Sequence, residues 1–217
     1  DKELHLYKPN SEFDNAISLY YFDKELSEII FAAIQSIEIA LRSKIIHYVS
    51  LKYGAFWFME PSLFKNHEVY EQTISTIKKD LLRTKEDFII DHNSKYTEPV
   101  MPPIWKTLEV TSFGTLSKLF CNIKDTVVKK QIARDFNLPQ HVVLESWVKC
   151  AVAMRNYLAH HSRIWNRNFP IMPQFNSSFR GEWISNTAFP KVKLYSQLCC
   201  FQYMQKYVKT NWDFKLR

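Results

Sequence analysis

The chain has 217 residues, 46% of them hydrophobic, which is enough for one sizeable core and excludes a disordered polypeptide. Its net charge of +7 points to an acidic partner such as RNA, DNA or a membrane surface. Only three glycines occur, Gly54, Gly114 and Gly181, which excludes a Gly-rich phosphate loop and speaks against a turn-rich β architecture.

Residues 1–13 read as a polar lead-in. Ile17, Tyr20 and Tyr21 then begin a short apolar face, and Asp23 is placed to cap a longer helix beyond it. From Leu26 through Ile30, Ile34, Ile37, Leu41 and Ile45 to Val49, apolar residues recur at spacings of three and four. That spacing predicts an amphipathic helix of about seven turns, stopped before Gly54. Glu38 and Arg42 lie four apart on it in the order that favours a surface ion pair. The pair is the simpler reading; the functional one places either residue beside the cluster described below.

The aromatic stretch Phe56-Trp57-Phe58-Met59 ends at Pro61 as a buried connection. A helix is expected over 66–92, and its run of charges from Lys78 to Asp87 is a solvated face. Prolines interrupt the pattern between Tyr96 and Pro103. One helix is then expected from Ile104 to Phe120, with Gly114 inside it allowing close packing, and a shorter one over 126–136 capped by Asp125. A further helix runs from about Gln140 to His160 with Val143, Leu144, Trp147, Val148, Ala151, Met154 and Leu158 on its apolar stripe. Residues 162–189 read as a long irregular loop of the kind that is often functional, and 191–208 as a last helix. The expectation is one all-α bundle of five to six long helices over residues 1–217.

Cys121, Cys150, Cys199 and Cys200 form no CxxC pair and read as structural thiols in a reducing cytosol. No apolar run approaches the roughly 18 residues of a membrane span, and no signal peptide is visible. The expectations are therefore a cytoplasmic protein without a membrane partner, a bound metal or a cofactor.

The chemistry concentrates in Ala153–Arg167, which holds Arg155, Asn156, His160, His161, Arg163, Asn166 and Arg167. Cleaving RNA without a metal needs a base for the 2′-OH proton, an acid for the leaving 5′-oxygen and a cation for the phosphorane. Histidine titrates near neutrality and suits the proton work; arginine can hold the phosphate with two hydrogen bonds. The alternative is structural: Arg155 pairs with a carboxylate while the histidines cap a helix C-terminus. Five positions on an ideal helix are about 140° apart in azimuth and about 7.5 Å apart in rise. Arg155 and His160 therefore share a face only if the helix distorts or ends near Ala159; otherwise two copies build the site jointly.

The blocks Leu19-Tyr20-Tyr21-Phe22-Asp23-Lys24-Glu25-Leu26, Ile37-Glu38-Ile39-Ala40-Leu41-Arg42-Ser43, Pro103-Ile104-Trp105, Ser112-Phe113-Gly114-Thr115-Leu116-Ser117 and Arg155-Asn156 through Ala159-His160-His161-Ser162-Arg163-Ile164-Trp165-Asn166-Arg167 occur in one order over about residues 17–170. In this they resemble the Abi-like (AbiD/AbiF) abortive-infection family, which is similar to the HEPN superfamily of helical bundles. The resemblance implies a HEPN-like fold and metal-independent RNA cleavage in phage defence by a homodimer. Arg155, Asn156 and His160 would be its motif, with His161 as a register alternative. It also implies a further N-terminal segment preceding the Leu19 block, which this chain is expected to lack. Arg155 would stabilise the transition state, His160 would act as acid and base, Asn156 would orient them, and His161, Arg163, Arg167 and Arg42 would contact RNA. The other readings are a non-catalytic RNA-binding module, one holding a structured RNA partner, and a toxin–antitoxin interaction component. The last predicts a buried, hydrogen-bonded His160.

Overall fold

The computed structural model describes residues 12–175 and 189–208. The expected lead-in, apart from its last two residues, and the centre of the expected loop at 176–188 lie outside them. Among the described residues the chain is all-α, with eight helices, two short 3-10 turns and no strand. The helices are α1 (Phe13–Tyr53), α2 (His67–Arg83), α3 (Asp87–Lys95), α4 (Ile104–Thr107), α5 (Phe113–Asn122), α6 (Thr126–Asp135), α7 (His141–Ala159) and α8 (Leu194–Gln205). No helix among these residues is long and apolar enough to cross a membrane.

Helix α1 is the spine. Ile30, Ile34, Ile37, Leu41 and Ile45 are fully buried along it, whereas the turns before Ile30 leave Phe13, Tyr20, Tyr21 and Phe22 largely exposed. It ends at Gly54, whose φ of 83° lets its N–H bond back to the Ser50 carbonyl at 2.9 Å. The expected start at Asp23 is wrong. The helix begins at Phe13, and Asp23 sits in its interior with its carboxylate spent elsewhere. Helix α7 packs against α1, α5, α6 and α8, so it lies at the centre of the bundle. One hydrophobic cluster draws on all eight helices, with Trp147, Phe113, Phe120 and Phe136 among its fully buried side chains.

Two expected helices are divided. The 66–92 segment breaks between Arg83 and Asp87, where Thr84 and Glu86 are extended. The segment from Ile104 breaks after α4, and Ser112 starts α5 by accepting a hydrogen bond from the Thr115 N–H at 3.2 Å. Apolar spacing continues across both breaks, so periodicity alone runs them together. Gly114 therefore lies in the first turn of α5. A Cβ there would meet Val152 at 3.9 Å, ordinary contact, so close packing does not require the glycine. Asn66 caps α2 through the Val69 N–H and exchanges two hydrogen bonds with Asn122, a role no sequence pattern indicated.

The described part of the loop after α7 is stapled to the bundle. Trp147 Nε1 donates to the Gln174 carbonyl, Gln174 N–H to Ser146 Oγ, and Gln197 to the Ile171 carbonyl. Cys150, Cys199 and Cys200 are buried and Cys121 is half-buried, all as free thiols. Burial pushes the Cys150 thiol up to about 12, which leaves it inert.

Lys129 is fully buried beneath α5 and α7. Its ammonium donates to Glu145 Oε1 and to the Cys121 carbonyl, each at 2.7 Å, and lies over the Phe120 ring. Burial drives its pKa down to about 8 against the pull of Glu145. Removing one partner of such a pair strands the other. Lys129→Met should therefore lower stability by about 3 kcal/mol, while Lys129→Met with Glu145→Leu recovers most of the loss; urea unfolding of the two variants measures both.

Candidate functional site

The end of α7 sets the site. His160 N–H still donates to the Asn156 carbonyl at 3.1 Å, so His160 keeps the helical register although the helix closes at Ala159. His161 then turns left-handed, with φ of 51°. Its N–H bonds to Leu158 O at 3.0 Å, and the Ser162 N–H bonds to Tyr157 O at 2.9 Å. This is a Schellman turn with histidine where glycine usually stands. Both imidazoles are exposed.

Because register persists, Arg155 and His160 remain about 140° apart around α7. Arg155 faces α1 and lines a cleft of about 270 Å³ with Phe31, Gln35, Glu38, Ile39 and Arg42. Glu38 shares this cleft with both arginines. It bonds Arg42 at 2.9 Å, and burial raises its carboxyl above the usual range, with Arg42 and then Arg155 pulling it back. The ion pair and the functional placement are therefore both realised. Arg42 also approaches Glu109 at 3.7 Å and is largely buried, with its Nε unpartnered. Its charge is engaged by these two carboxylates.

Beyond the turn, a second device fixes the chain. Asp23 on α1 accepts hydrogen bonds from the Trp165 N–H at 2.6 Å and the Ile164 N–H at 3.2 Å, and Ile164 is fully buried. Phe22 meets Trp165 edge-on, with ring centroids 5.1 Å apart. Tethered in this way, Arg163 is exposed, while Arg167 stacks on Tyr157 at 4.0 Å and donates to the Arg163 carbonyl. His161 and Arg163 line a groove of about 620 Å³ against Tyr20, Asp23, Ser27 and Phe31.

Of the sequence candidates, the fold gathers His160, His161 and Arg163 at one turn, leaves Asn156 exposed one turn below His160, and sends Arg155 and Arg42 into the cleft on the other side. Among the described residues none of His160, His161 and Arg163 pairs with a carboxylate, and no group of three or more His, Cys, Asp or Glu side chains is placed to hold a metal ion. The fold adds Glu38 to the Arg155 cleft and Asp23 to the segment beyond the turn. The four-residue spacing of Glu38 to Arg42 signals the first, and nothing local signals the second.

Two variants probe this geometry. Asp23→Ala leaves two N–H groups without their charged acceptor and should cost about 2–3 kcal/mol. The loss would register in urea unfolding and in faster hydrogen exchange at Ile164 and Trp165. His161→Gly relieves a left-handed residue and should add about 0.5–1 kcal/mol; His161→Ala keeps the strain and should gain nothing.

No protein in a search of curated sequences matches the chain, and no solved structure does. A family model described as Abi-like protein matches residues 1–166. The chain therefore belongs to the Abi-like protein family.

Proposed function

We propose that the protein is a metal-independent endoribonuclease acting in abortive infection, a bacterial defence against phage, in the manner of HEPN domains. Membership of the Abi-like family supports the defence role. The observation that carries the chemistry is the presentation of His160 and His161 on an exposed, backbone-locked turn five and six residues beyond Arg155, with neither paired to a carboxylate among the described residues. His160 removes the 2′-OH proton or delivers a proton to the leaving 5′-oxygen. The 2′-oxygen attacks phosphorus, the P–O5′ bond breaks, and a 2′,3′-cyclic phosphate and a 5′-OH result. Arg155, beside Glu38 in the α1 cleft, balances the charge on the phosphorane, and Asn156 orients the catalytic pair. Since Arg155 and His160 lie on different sides of α7, the complete site uses these groups from two copies of the chain.

The same separation favours a second reading, an RNA-binding module whose cations hold RNA without turnover. An interaction component with a vestigial site predicts a buried His160, and here the imidazole is exposed.

In EDTA, the wild type should cut a labelled single-stranded RNA pool to products ending in 2′,3′-cyclic phosphate. Arg155→Ala and His160→Ala should each abolish cleavage, by at least two orders of magnitude, while the circular dichroism and melting of the fold are retained. Undiminished cleavage by both variants defeats the assignment. RNA shifted but intact with the wild type favours the binding module.

A further inference from the structure

The nuclease reading uses only the last turns of α7, yet the exposed stripe on which His160 stands continues down the helix. Asn156 and Lys149 fall within about 40° of His160 in azimuth, and Lys149 lies about 17 Å below it along the axis. All three are exposed. The hydrogen bond from His160 N–H to Asn156 O keeps the stripe continuous to its top.

At its lower end the stripe meets further cations. Lys129 donates to the Cys121 carbonyl at the end of α5 and to Glu145 on α7, each at 2.7 Å, Lys130 follows it on α6, and the Lys65 N–H bonds to the Asn122 carbonyl at 2.8 Å. Lys65, Lys130 and Lys149 are exposed, whereas Lys129 is fully buried. The carboxylate in this neighbourhood is Glu145, one turn below Lys149. The buried Lys129 ammonium sits 2.7 Å from it and cancels its charge. Without that ion pair the stripe would carry an acid in its middle. With it, the polar side chains from His160 to Lys65 are neutral or cationic, with the half-buried Ala153 between Asn156 and Lys149.

We propose that single-stranded RNA runs along this stripe, its backbone passing from the His160 turn over Asn156 and Lys149 to Lys65 and Lys130. This rests on the RNA reading above and adds a direction and a footprint to it. The strand lies along α7 instead of across it, and its far end is held by phosphate contacts that carry no sequence preference.

The test compares RNA affinity on a His160→Ala background, which removes turnover. A fluorescein-labelled 20-nucleotide single strand is titrated in EDTA over a range of salt concentrations. The track variant is Lys65→Gln/Lys130→Gln/Lys149→Gln. A control of equal charge change is Lys78→Gln/Lys79→Gln/Lys85→Gln, on and just beyond the exposed face of α2. The track variant should bind at least tenfold more weakly at moderate salt. Its plot of log affinity against log salt should be shallower by about two, since each lost single-strand phosphate contact removes about 0.7. The control should match the background protein. Equal loss in the two variants, or no loss in the track variant, overturns the path while leaving cleavage by the wild type intact. Absence of both binding and cleavage by the wild type overturns the RNA reading and the path together.

Discussion

Helix α7 stays in register through His160 and is then stopped by a left-handed residue. Most of what the surface presents follows from that backbone constraint. Azimuth on a helix is set by the hydrogen-bonded ladder and not by rotamers. Arg155 is therefore directed to the cleft against α1 and His160 to solvent, and no side-chain rotation brings them to one face. The turn that follows is held by the backbone bonds of Leu158 and Tyr157, so the imidazoles stand on rigid main chain and not on a loose loop. On the proposed reading, this geometry makes a single chain half of a site.

Several of the acids are committed to the scaffold, although others, Glu71, Asp91 and Glu109 among them, face solvent. Asp125 caps α6 and is also bonded by Lys52 and Tyr53; burial would raise its carboxyl, but these hydrogen bonds hold it at about 2. Asp135 takes Lys44 and Tyr48, Glu145 takes Lys129, Glu38 takes Arg42, and Asp23 takes backbone N–H groups. A chain with 22 acidic residues against 29 basic ones thus uses several of its carboxylates to bind its own elements together. The net positive charge that remains favours a polyanionic ligand.

What could be read in advance was local. The caps of α6 and the apolar stripe of α7 are written within a few residues, and both elements fall where spacing puts them. The cluster from Arg155 to Arg167 was visible for the same reason. The breaks at Thr84 and Ser112 were hidden because apolar residues keep helical spacing across them, while the chain is extended there by its own side-chain bonds and caps. Asp23 misled for a related cause. An acid before an apolar run looks like a helix cap, and only tertiary structure reveals that its acceptors serve Ile164 and Trp165. The placement of Glu38 beside Arg155 is likewise a fact of packing between α1 and α7, beyond the reach of any local pattern.

The Asp23 tether joins residues 141 and 142 positions apart in the chain. Contacts of such separation close late, because the entropy of the intervening loop must be overcome first. During synthesis, α1 emerges with Asp23 unengaged, and the segment that carries the basic turn can be seated only after Trp165 has left the ribosome. A nascent chain is thus unable to assemble the turn while most of its helices are already made. On the proposed reading, in which the activity would endanger the RNA around it, the order of folding is itself a form of restraint: the basic turn is completed only with the last third of the chain.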